Sequence, residues 1–220
     1  MDNKLSKEES IYILLGCTFV GLLVVSNIIA SKIIMVAGLV GPAAVICYSL
    51  TFVITDTITE LWGKERTKFV VKVGFLVSII SAIFIRIAIV MPSAPFWVDQ
   101  EAYDLILGAN LRIVFASLVA YLISQYHDIW AFLFWKRLTG GKFLWLRNNL
   151  STGASQLIDT SLFITLAFWG TGVPLMPMII GQFLLKIIIA VLDTPLVYLL
   201  INVIKRNTRL VSSASEVKAS

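Results

Sequence analysis

The chain has 220 residues, 58% of them hydrophobic and 14% charged, with a mean hydropathy of +0.90. Soluble domains are nearer a quarter charged, so composition excludes that class and predicts an integral membrane protein. Its long apolar runs, which lack the alternation of a barrel, make it all-α and polytopic. A net charge of +5 does not imply nucleic acid here, because in a membrane protein basic residues mark cytoplasmic loops.

Six apolar runs are long enough, at about 20 residues each, to cross the hydrocarbon. They cover residues 11–35, 42–62, 68–91, 110–135, 150–169 and 176–204. The first follows a charged stretch with no small-residue cleavage site, which predicts a retained helix rather than a cleaved leader. Its Gly16, Gly21, Ser26 and Ala30 permit close helix packing, within the chain or in a homodimer. Cys17 and Cys47 lie in apolar runs and read as small core residues. With a single histidine, they offer no metal site, and no cofactor is expected.

Loop charge sets the expected orientation. Lys64, Arg66 and Lys68 follow the second run; Lys136, Arg137, Lys142 and Arg147 follow the fourth; Lys205, Arg206 and Arg209 follow the sixth. The other loops have no Lys or Arg, and the loop 92–109 has Asp99, Glu101 and Asp104. Both termini are therefore expected in the cytoplasm. The expected organisation is a cytoplasmic segment 1–10, a transmembrane domain 11–204 and a polar, disordered tail 205–220. In loop 92–109, Phe96, Trp97 and Tyr103 are either interfacial anchors or part of a lid.

Ionisable residues inside a bilayer are costly, and they mark substrate or ion pathways. In the second run Asp56 and Glu60 share a face at i, i+4. Glu60 also has Lys64 at i+4, so it can pair there or snorkel. The fifth run carries Gln156 and Asp159 on one face; the sixth carries Gln182, Lys186 and Asp193 within about 40° of one another. An Asp159–Lys186 ion pair is expected, either as simple neutralisation or as part of a transport site. The first run adds Asn27. Arg86 and Arg112 fall near outer ends and are expected to reach headgroups. His127 adjoins Asp128, which suggests a proton relay or a helix-end hydrogen bond. Asp-Thr recurs at 56–57, 159–160 and 193–194; the first two occurrences fit a 3+3 inverted repeat. No phosphate loop, HExxH or GxSxG is present, so an enzyme is not expected.

The stretches SNIIASKI (26–33), SLTFVITDTITELWGKE (49–65) and LWLRNNLSTGASQLIDTSLF (144–163), then Lys186 and LDTP (192–195), are specific as a set. Together they resemble the queuosine precursor transporters, also known as the vitamin uptake transporter family. The resemblance covers nearly the whole chain. It implies a six-helix inner-membrane importer of 7-deazaguanine nucleobases or queuine, used in tRNA modification, with a small-molecule substrate and lipid as partners. A carboxylate such as Asp159 or Asp56 could accept the base's N–H donors. Gln156, Gln182, Asn27 or Lys186 could donate to its carbonyl. Phe52, Trp62, Phe163 and Phe168 are candidates to stack on the ring. Trp145, Arg147 and Asn148 precede the fifth run and form either a cytoplasmic gate or an interfacial anchor. Two further readings stand beside the self-contained carrier. One is the substrate-capture subunit of an energy-coupling-factor importer, which would need a partner ATPase. The other is a membrane-embedded enzyme, which would change its ligand chemically.

Overall fold

The computed structural model describes residues 6–139 and 144–219. Only the backbone is described at positions 64, 125, 128–129, 132–133, 136, 144–152, 190–194 and 207–219. Among the described residues, seven helices and one hairpin follow in the order α1 (Lys7–Ile29), β1 (Ile33–Val36), β2 (Leu39–Pro42), α2 (Ala44–Trp62), α3 (Lys64–Val90), α4 (Gln100–Leu107), α5 (Asn110–Leu138), α6 (Leu144–Phe168) and α7 (Leu175–Ala219). Among the described residues, four stretches are long and apolar enough to cross a membrane: Lys7–Ile29, Ala44–Trp62, Glu65–Val90 and Gln100–Ser124. Two shorter apolar stretches, Gly153–Phe168 and Leu175–Ile189, belong to α6 and α7.

α1 begins four residues before the apolar run does, because Ser6 caps it. The Glu9 N–H donates to Ser6 Oγ at 3.2 Å, and the Ser6 N–H donates to Glu9 Oε2 at 2.9 Å. This reciprocal pair satisfies two N-terminal donors that the helix itself cannot. α1 stops at Ile29, not at 35. The chain is mostly helical as expected, but the reading of 33–35 as helix and 36–41 as loop is corrected: residues 33–42 form an antiparallel hairpin, with Ile33 opposite Pro42 and Val36 opposite Leu39. Its two-residue turn holds Ala37 at φ 49° and Gly38 at φ 80°, the left-handed pair that a tight hairpin demands. The Ala43 N–H donates to Lys32 O at 2.8 Å and closes the hairpin's base.

The hairpin lies against α7. A Cβ on Gly181 would meet Val40 O at 2.1 Å and Val40 N at 2.6 Å, so strand and helix backbones touch where the side chain is missing. The strand edge is thereby covered.

Two apolar clusters organise the helices. Phe19 and Leu23 of α1, Ile54 and Ile58 of α2 and Val70 of α3 form one. Ile113 and Ala116 of α5, Ile164, Ala167 and Phe168 of α6 and Met178 of α7 form the other, joined by Ala30 at the end of α1. The small residues of α1 are partly consumed by this packing: Ser26 and Ala30 are buried, and Gly16 faces Val70.

The connection 92–109 contains α4, which the apolar-run pattern does not predict. Gln100 Nε2 donates to Asp104 Oδ1 at 2.8 Å and lies 3.5 Å from Ile89 O, tying α4 to the end of α3. Arg112 does not reach outward as expected. Its Nε donates to Leu166 O at 2.7 Å and its Nη2 to Trp169 O at 2.5 Å, so the guanidinium caps the C-terminal carbonyls of α6. α7 continues to Ala219, through the polar tail for which composition predicts disorder.

Candidate functional site

α2, α6 and α7 enclose the chemistry. α2 presents one face to a cavity of about 640 Å³: Val45, Tyr48, Ser49, Phe52, Val53, Asp56 and Glu60, at near-helical spacing. From Val45 to Glu60 this face runs about 22 Å. Gln156 of α6 and Phe183, Lys186, Ile187, Tyr198, Asn202 and Lys205 of α7 line much of the rest. The volume suits a drug-sized ligand. The lining is aromatic and aliphatic at the Val45 end and carries the acids Asp56 and Glu60 towards the end of α2.

A second, smaller cavity of about 40 Å³ adjoins the first on the hairpin side. Ser26, Asn27, Pro42, Ser117, Asp159, Phe163 and Gln182 line it, and Val45, Tyr48 and Lys186 border both cavities. Lys186 is the centre of the arrangement. Its Nζ donates to Asp159 Oδ2 at 2.8 Å and lies 3.5 Å from Gln156 Oε1. It sits 5.8 Å from the centroid of the Tyr48 ring. The Lys186 and Asp159 side chains are only 11% and 16% exposed. A charge pair so withdrawn from water needs close geometry to survive, and 2.8 Å supplies it.

Gln182, one turn before Lys186, is 6% exposed, and its Oε1 has no hydrogen-bond partner among the described residues. An unsatisfied buried acceptor is costly, and it invites a donor. Asn27 is also buried, at 8% exposure.

The residues singled out in the sequence are thus brought together in large part. Asp56, Glu60 and Gln156 line the large cavity; Asn27, Asp159 and Gln182 line the small one; Lys186 touches both. The side chains of Asp193, Trp145, Arg147 and Asn148 lie outside the described residues. Of the four aromatic candidates, Phe52 lines the large cavity and Phe163 the small one. Trp62 instead packs edge-on against Tyr12 at 5.6 Å, and Phe168 belongs to an apolar cluster. Tyr48 is a site residue that sequence reasoning misses. Its only signal is the stride of four that links Tyr48, Phe52, Asp56 and Glu60.

His127 Nδ1 lies 3.0 Å from Ser155 Oγ, which joins α5 to α6. It lines neither cavity, so the histidine reads as a cross-helix tether. Phe96, Trp97 and Tyr103 line neither of these two cavities, and Phe96 is 85% exposed. No group of three metal-ligating side chains occurs among the described residues.

Four stretches long and apolar enough to cross a membrane, together with a cavity and a buried ion pair between α2, α6 and α7, fit a multi-pass membrane protein. Residues 42–200 match the Vut_1 family, described as "Putative vitamin uptake transporter", and the chain belongs to that family. It is 27% identical over 178 residues to a Bacillus subtilis (strain 168) protein named "Probable queuosine precursor transporter". The match covers 80% of this chain and 78% of that one. No solved structure matches the chain.

Proposed function

We propose that the protein imports queuosine precursors, 7-deazaguanine nucleobases or queuine, across the inner membrane, with both termini in the cytoplasm. The name of the Bacillus subtilis relative supports the cargo, and the three-way meeting of Lys186, Asp159 and Gln156 at the cavity supports the site. A guanine-like base offers adjacent N–H and amino donors, which a carboxylate accepts together, and a carbonyl, which an ammonium or amide can donate to. Asp159 takes the donors and Lys186 the carbonyl; Gln156, Gln182 and Asn27 complete the ring of polar groups. Asp56 and Glu60 extend the substrate-binding surface along the large cavity; on the sequence alone Asp193 joins the binding residues, and Trp145, Arg147 and Asn148 serve as a cytoplasmic gate.

The protein crosses the membrane six times, with α1, α2 and α3 as one half and α5, α6 and α7 as the other. Two observations support an inverted repeat of these halves. One apolar cluster lies within α1–α3 and the other mainly within α5–α7, and the first two Asp-Thr pairs each direct the acid to a cavity while the threonine, Thr57 or Thr160, is fully buried. The large cavity extends away from the hairpin, towards the end of α2 and residues 202–205 of α7, which fits the inward-facing state of an alternating-access cycle.

The test is uptake of radiolabelled 7-aminomethyl-7-deazaguanine into liposomes holding this protein alone, with and without a pH gradient. Saturable uptake is expected, and Asp159→Asn and Lys186→Ala should abolish it in folded protein. Uptake only with ATP and partner subunits would overturn the self-contained carrier.

A further inference from the structure

We infer that Tyr48 is a substrate-binding residue that stacks on the flat ring of the cargo, with the Lys186 ammonium moving from the tyrosine face to the ligand as the ring arrives. This rests on the functional reading above. Three observations carry it.

Tyr48 occupies the junction of the site. Among the described residues, Tyr48, Val45 and Lys186 are the ones that border both cavities, which puts the tyrosine ring between the large cavity and the Asp159 side of the site. The ring is also held in a defined attitude. Phe52, one turn further along α2, packs against it edge-on, with centroids 5.1 Å apart and planes at 86°. The two rings form an aromatic corner towards the Val45 end of the large cavity. A planar heterocycle can lie on one ring and meet the other with its edge.

Lys186, which lines both cavities, marks one face of the ring. Its Nζ lies over the Tyr48 ring at 5.8 Å from the centroid. That is near the outer limit of about 6 Å for a cation–π contact, so leaving the ring forfeits little. The same ammonium holds Asp159 at 2.8 Å. A base lying on the Tyr48 face would thus place its polar edge beside both members of the ion pair. Stacking would supply affinity for any flat π-face, while Asp159 and Lys186 would read the edge.

The experiment compares Tyr48→Leu, Tyr48→Phe and Tyr48→Trp in the proteoliposome assay. Loss of the ring should raise KM for 7-aminomethyl-7-deazaguanine roughly tenfold or more, as expected for one base–aromatic stack. The maximal rate should change much less. Tyr48→Phe and Tyr48→Trp keep the π-face and should stay near the wild-type KM. An unchanged KM in folded Tyr48→Leu overturns the inference, as does a Tyr48→Phe variant equally impaired. Should Tyr48→Leu fail to fold, 3-fluorotyrosine incorporated at position 48 decides. Saturating base should shift its fluorine resonance through the ring current, and no shift overturns the inference. Wild-type protein that takes up no base would instead remove the functional reading itself.

Discussion

Replacing Lys186 by methionine keeps most of the side chain's length and deletes its charge, leaving Asp159 facing an apolar neighbour. Both partners are more than four-fifths withdrawn from water, at 11% and 16% exposure, and the carboxylate has the ammonium at 2.8 Å. Breaking a buried pair from one side costs about 3–5 kcal/mol. The adjoining cavities give the stranded carboxylate some access to water, so the lower figure of about 3 kcal/mol is expected. That corresponds to a fall in melting temperature of roughly 6–12 °C for a chain of this size. The double variant Lys186→Met/Asp159→Asn removes both charges and should recover to within about 1 kcal/mol of wild type. Thermal unfolding in detergent measures the stability, and proteoliposome uptake measures the function. Stability should return in the double variant while uptake stays lost. A double variant as unstable as the single one would refute the electrostatic account of the pair. Normal uptake in the double variant would reduce the pair to a structural role.

Three other outcomes are expected. Gly181→Ala puts a methyl where Val40 O would be 2.1 Å away; neither backbone can yield cheaply, so a loss of about 1–3 kcal/mol and increased protease access to the hairpin should follow. Wild-type cleavage rates in that variant would show that strand and helix do not touch. Arg112→Met strips the cap from Leu166 O and Trp169 O and should cost about 1–2 kcal/mol, since the side chain is exposed and water takes over in part. Faster hydrogen exchange should appear at the end of α6; unchanged exchange there would count against the cap. Glu60→Gln should lower uptake only about two- to threefold, because Glu60 is exposed at the far end of the cavity. Complete loss would move the site towards that end.

Much of the site is legible in the sequence because charge inside an apolar run is rare enough to stand out. Asp159 and Lys186 lie 27 positions apart, yet each is visible as an anomaly on its own helix, and each needs a partner. The hairpin is not legible for the opposite reason. Residues 33–42 are apolar almost throughout, so the polar–apolar alternation that announces a strand is absent. The β-branched Ile33, Ile34 and Val36 before Ala37-Gly38 are the available cue, submerged in the preceding helix pattern. α4 is short, amphipathic and outside the long apolar runs, so a search for spans passes over it. Tyr48 looks like any aromatic residue on a membrane helix; only the enclosing surfaces of α6 and α7 distinguish it from a lipid-facing one.

The missing side chain at Gly181 has a mechanical corollary. With Val40 seated on its backbone, α7 is fastened to the connector that leads out of α1 and into α2. If α7 swings or slides, the two strands must travel with it as freight of that helix. The bending is then forced into the short stretches at either foot of the hairpin, Ala30–Lys32 and Ala43, where one hydrogen bond of 2.8 Å joins the two feet.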